Sequence, residues 1–240
     1  MQDTPKQEVC QSNRILGALS SKEYKRLRPS LALVTLVSGT VLHDEGDLIE
    51  HVYFPLNSLI SQVSHSKSGT SVNNGLIGND GVSGLTRLME AETVTAQAVV
   101  RIGGTVIRAP FEFIKKEIAG GGELQDLIQR CLSLCLQQTL QTVACCMSHS
   151  VEERLAGWLL MCQERVGVAK LRLTQNFIAQ MLYTRRESVS RAANYLQTKG
   201  LIKCGRENLQ IVNQRGLKGS SCECYRETKA EADRVWGLPY

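Results

Sequence analysis

LTQNFIAQMLYTRRESVSRAANYLQTKGLI, residues 173–202, carries two apolar rhythms of helical period separated by a short break. In the first, Phe177, Ile178, Met181 and Leu182 share one face, and Thr174 stands where an N-cap belongs. In the second, Val189, Ala192, Ala193 and Leu196 form the inner side. Thr184 with Glu187 three residues on reads as a capping box for it. Ala179 is small enough to let the two helices cross closely, and Gly200 ends the second. Tyr183 stands at the turn, where glycine is common; a positive φ there costs about 1 kcal/mol. The segments LIKC (201–204) and LQIV (209–212) flank GREN and read as a two-stranded wing. Two crossing helices and a wing predict a winged helix-turn-helix.

The polar residues give this stretch its chemistry. Arg185, Arg186, Glu187, Ser188, Ser190 and Arg191 lie on the outer, N-terminal side of the second helix, the part that enters a major groove in this motif. Arginine bonds guanine O6 and N7 together, and glutamate accepts from the cytosine amino group. Arg186, Glu187 and Arg191 are therefore the expected base contacts. Thr174, Gln175, Arg185 and Ser188 are the expected phosphate contacts, which set register. From Lys170 to Lys218 the chain has ten Lys or Arg against two Glu, while the rest has 18 positive and 21 negative groups. A basic segment on a slightly acidic body suits a nucleic-acid binder, although a solvated basic face explains the charge alone equally well.

Upstream, LALVTLV (31–37), TVLHDEGD, HVYFP (51–55), SLISQVSH, TSVNNGLIG and TAQAVVRIGGTVIRAP are short β-rich runs broken by Gly, Asn and Asp, the pattern of an antiparallel roll. FEFIKKEIA (111–119) reads as a short helix stopped by Gly120, Gly121 and Gly122. A long helix then covers about residues 123–147 with two apolar stripes. Leu124, Ile128, Cys131, Cys135, Gln138, Thr142 and Cys145 follow a 4-3-4-3-4-3 spacing, the rhythm of a coiled-coil seam, and are the expected dimer seam. Leu132, Leu136, Leu140, Val143 and Met147 form the other stripe, expected against the chain's own β-domain; a helix buried in a monomer is the alternative. SVEERLAGWLLMCQERVG opens with Ser150 and Glu153, a capping box. The fold class is thus α+β, with a β-roll over 1–122, a dimerisation helix and hinge over 123–149, and a winged helix-turn-helix domain over 150–240.

The 240 residues are 42% hydrophobic and 21% charged, enough to bury one or two cores. No apolar run approaches the roughly 20 residues that span a bilayer, and the first residues lack a signal-like apolar core, so a cytoplasmic location is expected. Nine cysteines without regular spacing do not make a disulfide framework. Cys131, Cys135 and Cys145 on the seam act either as small hydrophobes or as redox-controlled cross-links. Cys222 and Cys224 have neither a histidine nor a second cysteine pair near them in sequence, so no metal site is expected. His51 and His149 are expected as structural hydrogen-bonders. No catalytic triad, carboxylate pair or phosphate-cradling P-loop occurs, so no enzyme activity is expected.

With HVYFP, the long helix, SVEERLAGWLL (150–160), the Arg186-Glu187-x-x-x-Arg191 pattern and the tail SCECY (221–225), the sequence resembles the Crp/Fnr superfamily of bacterial transcription regulators. The resemblance implies a homodimer on a near-palindromic site, with a cyclic-nucleotide-binding-like N-terminal domain. Its implied partners are double-stranded DNA and RNA polymerase, with no membrane. In cyclic-nucleotide-binding members a Glu holds the ribose and an Arg, followed by Ser or Thr, holds the phosphate. Here those positions fall near Leu85 and Val94, with Thr95 following, so the cassette is degenerate and control by cyclic AMP is not expected. Cys10 stands alone where Fnr-like members hold an iron–sulfur cluster, so no cofactor is expected. The alternative function is a thiol-based redox or metal-handling sensor; another is a small-molecule sensor whose DNA domain is vestigial.

Overall fold

Alternating burial along short strands builds the N-terminal half. In HVYFP, Val52 and Phe54 are fully buried while His51 and Tyr53 are half-buried, the period-two pattern of a sheet with one face on a core. The computed structural model describes residues 5–65, 71–89, 94, 96–205 and 208–237. Seven strands make two antiparallel sheets: β1 (Ala32–Leu36), β2 (Val41–His43), β3 (His51–Pro55), β4 (Leu59–His65), β5 (Ser71–Ile77), β6 (Gln97–Ile102) and β7 (Gly104–Pro110). Their orders are β1-β7-β3 and β2-β6-β4-β5. Each expected β-rich run contains a strand among the described residues, and TAQAVVRIGGTVIRAP contains two.

Three short N-terminal helices, Gln7–Cys10, Arg14–Gly17 and Ser21–Leu27, went unread in the sequence because none is long enough to show a period. Asn13 ties them to the roll. Its carbonyl oxygen accepts from the backbone N–H of Ile15 and Leu16, and its amide donates to the carbonyls of Pro55 and Gly81, both at 3.0 Å. After β7 the helix Phe111–Ala119 buries Phe111, Ile114 and Ile118. Gly121 and Gly122 then take φ values of 78° and 107°, which side chains resist, so the chain turns there as the glycine run requires.

The chain divides into two compact units, with the boundary between Ser133 and Leu134, inside the long helix Glu123–Ser148. The expected dimer seam is corrected by burial. Leu124, Ile128 and Cys131 are 0%, 0% and 2% exposed within the first unit. Gln138, Thr142 and Cys145 are half-buried within the second, where the Gln138 amide meets Met161 and its oxygen accepts from Arg165 at 2.9 Å. Cys135 is exposed. The other stripe is the open one: Leu136, Leu140, Val143 and Met147 are 60%, 63%, 61% and 85% exposed. Both stripes have coiled-coil spacing, and spacing does not say which face the chain covers for itself.

In the second unit Ser150 and Glu153 form the expected capping box at the start of the helix Val151–Val166. That helix buries Leu155, Ala156, Leu159, Leu160 and Cys162 completely, and Trp158 meets Phe177 edge to face at 6.1 Å between ring centres. Two more helices, Gln214–Ser220 and Glu223–Trp236, close the chain. No described helix is long and apolar enough to cross a membrane.

Candidate nucleic-acid interface

The crossing pair forms as read. Thr174 caps the helix Gln175–Met181, its hydroxyl accepting from Phe177 N–H at 3.2 Å. The second helix, Arg186–Thr198, buries Val189, Ala192, Ala193 and Leu196 to 2% exposure or less. Ala179 is 5% exposed where the two meet, and its carbonyl accepts the Thr184 N–H at 3.0 Å. Among the described residues Tyr183 is the non-glycine residue with positive φ, 48°, so the turn carries the strain the sequence implied.

The second capping box is not made. The N-cap is Arg185, extended at φ −82° and ψ 149°, and no side chain caps it. Its carbonyl accepts the first helical bonds, from Ser188 and Val189. With Tyr183 left-handed and the Thr184 N–H spent on Ala179, the chain enters the helix one residue later than the Thr184–Glu187 pattern predicted. Arginine has no acceptor, so the N-cap side chain does not bond the first N–H groups of this helix.

Arg185, Arg186, Glu187 and Arg191 are exposed, and Ser188 is half-buried with its hydroxyl accepting from Arg191 at 3.5 Å. Among the described residues Arg185, Arg186 and Glu187 form no ion pair. Thr174 is exposed and Gln175 half-buried at the start of the preceding helix. Gly200, at φ 69°, ends the second helix. Strand β9 (Ile202–Cys204) pairs with β10 (Leu209–Ile211), whose other edge takes β8 (Lys170–Leu171). The Gln197 side-chain oxygen accepts from Cys204 N–H at 2.7 Å, fixing the wing to the helix. Burial pushes the Cys204 thiol pKa up, so it stays a protonated thiol.

Residues 153–219 match the Crp-like helix-turn-helix domain. This segment is a Crp-like helix-turn-helix domain. The chain as a whole has the fold of the Crp/Fnr regulators. It superposes on a Crp/Fnr-family protein from Eubacterium rectale with a TM-score of 0.64 at 17% identity, covering 87% of this chain and 98% of that one. A Crp/Fnr-family transcriptional regulator from Thermus thermophilus gives 0.62 at 20% identity, over 79% and 97%. FixK2 from Bradyrhizobium japonicum gives 0.66 at 18%, over 80% and 98%. No curated protein matches by sequence.

At the positions where the cassette is expected, Leu85 lies in the short helix Leu85–Leu88 at 7% exposure and Val94 is 4% exposed; Thr95 falls outside the described residues. The two arginines nearest in sequence are engaged elsewhere. Arg101 donates to Ser61 Oγ at 2.7 Å and to Asn73 Oδ1 at 3.1 Å, and Arg87 lies over the Phe111 ring at 5.5 Å. Cys10 is buried beside the Tyr24 hydroxyl at 3.6 Å.

Within the unit that carries the Crp-like domain, the fold joins residues that the sequence kept apart. Cys145 and His149, one helical turn apart, meet Cys222 and Cys224. The expectation that Cys222 and Cys224 lack nearby ligands, and that Cys145 faces a second copy, is corrected. The signals were a Cys-x-x-x-His and a Cys-x-Cys more than 70 residues apart, which nothing in sequence periodicity links.

Proposed function

We propose that the chain is a transcription regulator of the Crp/Fnr type, acting in the cytoplasm as a homodimer on a near-palindromic duplex site without cyclic AMP. The observation that carries this reading is the outer face of the helix Arg186–Thr198. Arg186, Glu187 and Arg191 stand exposed on a helix held from behind by four buried apolar side chains, in a Crp-like domain. In a dimer, two such helices reach major grooves about one DNA turn apart, roughly 34 Å. Arg186, Glu187 and Arg191 read bases. Arg185, Ser188, Thr174 and Gln175 hold phosphates, aided by the uncapped N–H groups and positive end of the recognition helix. The open stripe Leu136, Leu140, Val143 and Met147 supplies the pairing surface, its 4-3-4 spacing being that of a coiled coil. RNA polymerase is the further partner this type of regulator implies.

Phosphate and base contacts separate by their salt dependence. Arg185→Ala is expected to weaken binding on every duplex alike and to flatten the slope of log K against log salt by about 1 per subunit. Fluorescence anisotropy across a salt series, on the cognate site and on unrelated sequence, measures this. A loss confined to one sequence would give Arg185 a base-reading role instead.

The side chains of Leu85 and Val94 offer a buried phosphate neither a cation nor a donor, and an unpaired buried charge costs several kcal/mol. Saturating cyclic AMP is accordingly expected to leave the DNA affinity unchanged, because a ligand without differential affinity shifts no equilibrium. Titration calorimetry for the nucleotide and anisotropy for the DNA check the two halves of that expectation. A tightening of DNA binding with cyclic AMP would contradict it.

A further inference from the structure

Four metal-ligating side chains converge in the C-terminal unit. The Sγ atoms of Cys145 and Cys222 are 3.5 Å apart, and Cys224 Sγ is 3.6 Å from His149 Nδ1. The four donor atoms all lie within 4.8 Å of one another. Around tetrahedral zinc, bond lengths of about 2.3 Å to sulfur and 2.0 Å to nitrogen give sulfur–sulfur edges of about 3.8 Å and sulfur–nitrogen edges of about 3.5 Å. The Cys145–Cys222 separation is slightly shorter than the sulfur–sulfur edge, the Cys224–His149 separation lies close to the sulfur–nitrogen edge, and the rest stay within 4.8 Å. Side-chain rotations of about 1 Å or less therefore close the tetrahedron.

The surroundings suit a metal as well as the donors do. His149 Nε2 is 3.0 Å from Glu223 Oε1. Donating its Nε2 proton to that carboxylate leaves the Nδ1 lone pair facing the sulfurs, the carboxylate–histidine–metal relay that orients zinc-bound histidines. Cys222 is the N-cap and Cys224 lies in the first turn of the helix Glu223–Trp236, so both sulfurs are held at the start of one helix. Cys222 and Cys224 are buried, and Cys145 and His149 half-buried, so the ligands are shielded from bulk water yet reachable.

We propose that Cys145, His149, Cys222 and Cys224 form a four-coordinate site for zinc. On binding, Zn²⁺ displaces the three thiol protons to solvent and takes the Nδ1 lone pair of the His149 imidazole, so three thiolates and one neutral nitrogen ligand leave the site with a single net negative charge. Three thiolates and an imidazole select zinc over the oxygen-seeking magnesium and calcium. With all four positions taken by protein, the metal is structural. It staples the end of the long helix, and the residue just before the Ser150 cap, to the last helix of the DNA-binding unit. The site is independent of what the recognition helix reads.

The full chain, purified under reducing conditions and passed through gel filtration, should retain about one zinc per chain by elemental analysis. Stripped of zinc and given cobalt(II), it should show the intense visible bands of tetrahedral cobalt with thiolate-to-metal charge transfer in the near ultraviolet. Chelation should lower the melting temperature, and zinc should restore it. Cys222→Ser and Cys224→Ser should lose the charge-transfer bands and most of the affinity, whereas Cys135→Ser, altered at an exposed cysteine of the same long helix, should keep both. The cobalt spectrum and zinc-dependent melting of the unmutated protein decide the matter even if a variant misfolds. The proposal is overturned if the reduced wild-type chain neither retains zinc nor takes it up, if cobalt gives only weak octahedral bands, or if Cys222→Ser binds as tightly as wild type. A Cys145–Cys222 disulfide in the protein isolated under reducing conditions would overturn it too.

Discussion

Replacing Leu136 and Leu140 together by glutamate is expected to turn the proposed dimer into a monomer and to weaken binding to a symmetric duplex by about 100-fold or more. Both side chains are more than half exposed in the single chain, at 60% and 63%, so the variant chain should still fold, its melting lowered only by the association that pairing adds to the parent. In a pair of helices the same side chains are buried. Each Leu removed from water contributes about 1.5–3 kcal/mol, and the two-fold axis doubles the number lost. Glutamates facing glutamates across that axis add like-charge repulsion. Once the tether between the two reading heads is gone, the second half-site no longer binds at high effective concentration, and only single half-site affinity remains. Sedimentation velocity gives the mass, and anisotropy on full and half sites gives the affinities. A variant that stays dimeric would put the pairing surface elsewhere on the chain.

Arg186→Ala carries the second large effect, about 1–3 kcal/mol, or roughly 5- to 150-fold in affinity per half-site. Its guanidinium is exposed at the first position of the recognition helix and holds no ion pair among the described residues, so no internal partner competes with a base edge. The loss should fall on one base pair of each half-site. With the arginine gone, substitutions at that pair should become nearly neutral while discrimination elsewhere persists. A uniform loss on all sequences, with a lowered salt slope, would instead make Arg186 a phosphate contact.

Most of the architecture is legible in the sequence, for reasons visible at particular residues. The β-roll shows because Val, Ile and Tyr recur between glycines and asparagines. The crossing helices show because Thr174, Ala179, Val189 and Leu196 each answer a separate geometric need. Misreadings arose where local pattern is ambiguous about distance. The capping box at Thr184 and Glu187 has the right letters, but the left-handed Tyr183 delays the helix to Arg185. The long helix presents two stripes of equal rhythm, and only packing tells that Leu124, Ile128 and Cys131 are spent on the chain's own first unit. The polar members Gln138 and Thr142 were a hint, since Gln138 is bonded inside the second unit. The Cys145, His149, Cys222 and Cys224 cluster was beyond the sequence, because helices bring its two halves together across a separation that no periodicity bridges.

The central claim is that the exposed face of the helix Arg186–Thr198 reads DNA as one half of a two-fold pair. Selection from a random duplex pool with purified, reduced protein and no added ligand tests it most directly. The account predicts enrichment of an inverted repeat with half-sites about 10 base pairs apart, centre to centre, and loss of one conserved base pair per half-site when Arg186→Ala is used. A pool that stays random, or a motif that Arg186→Ala leaves unchanged, would contradict it.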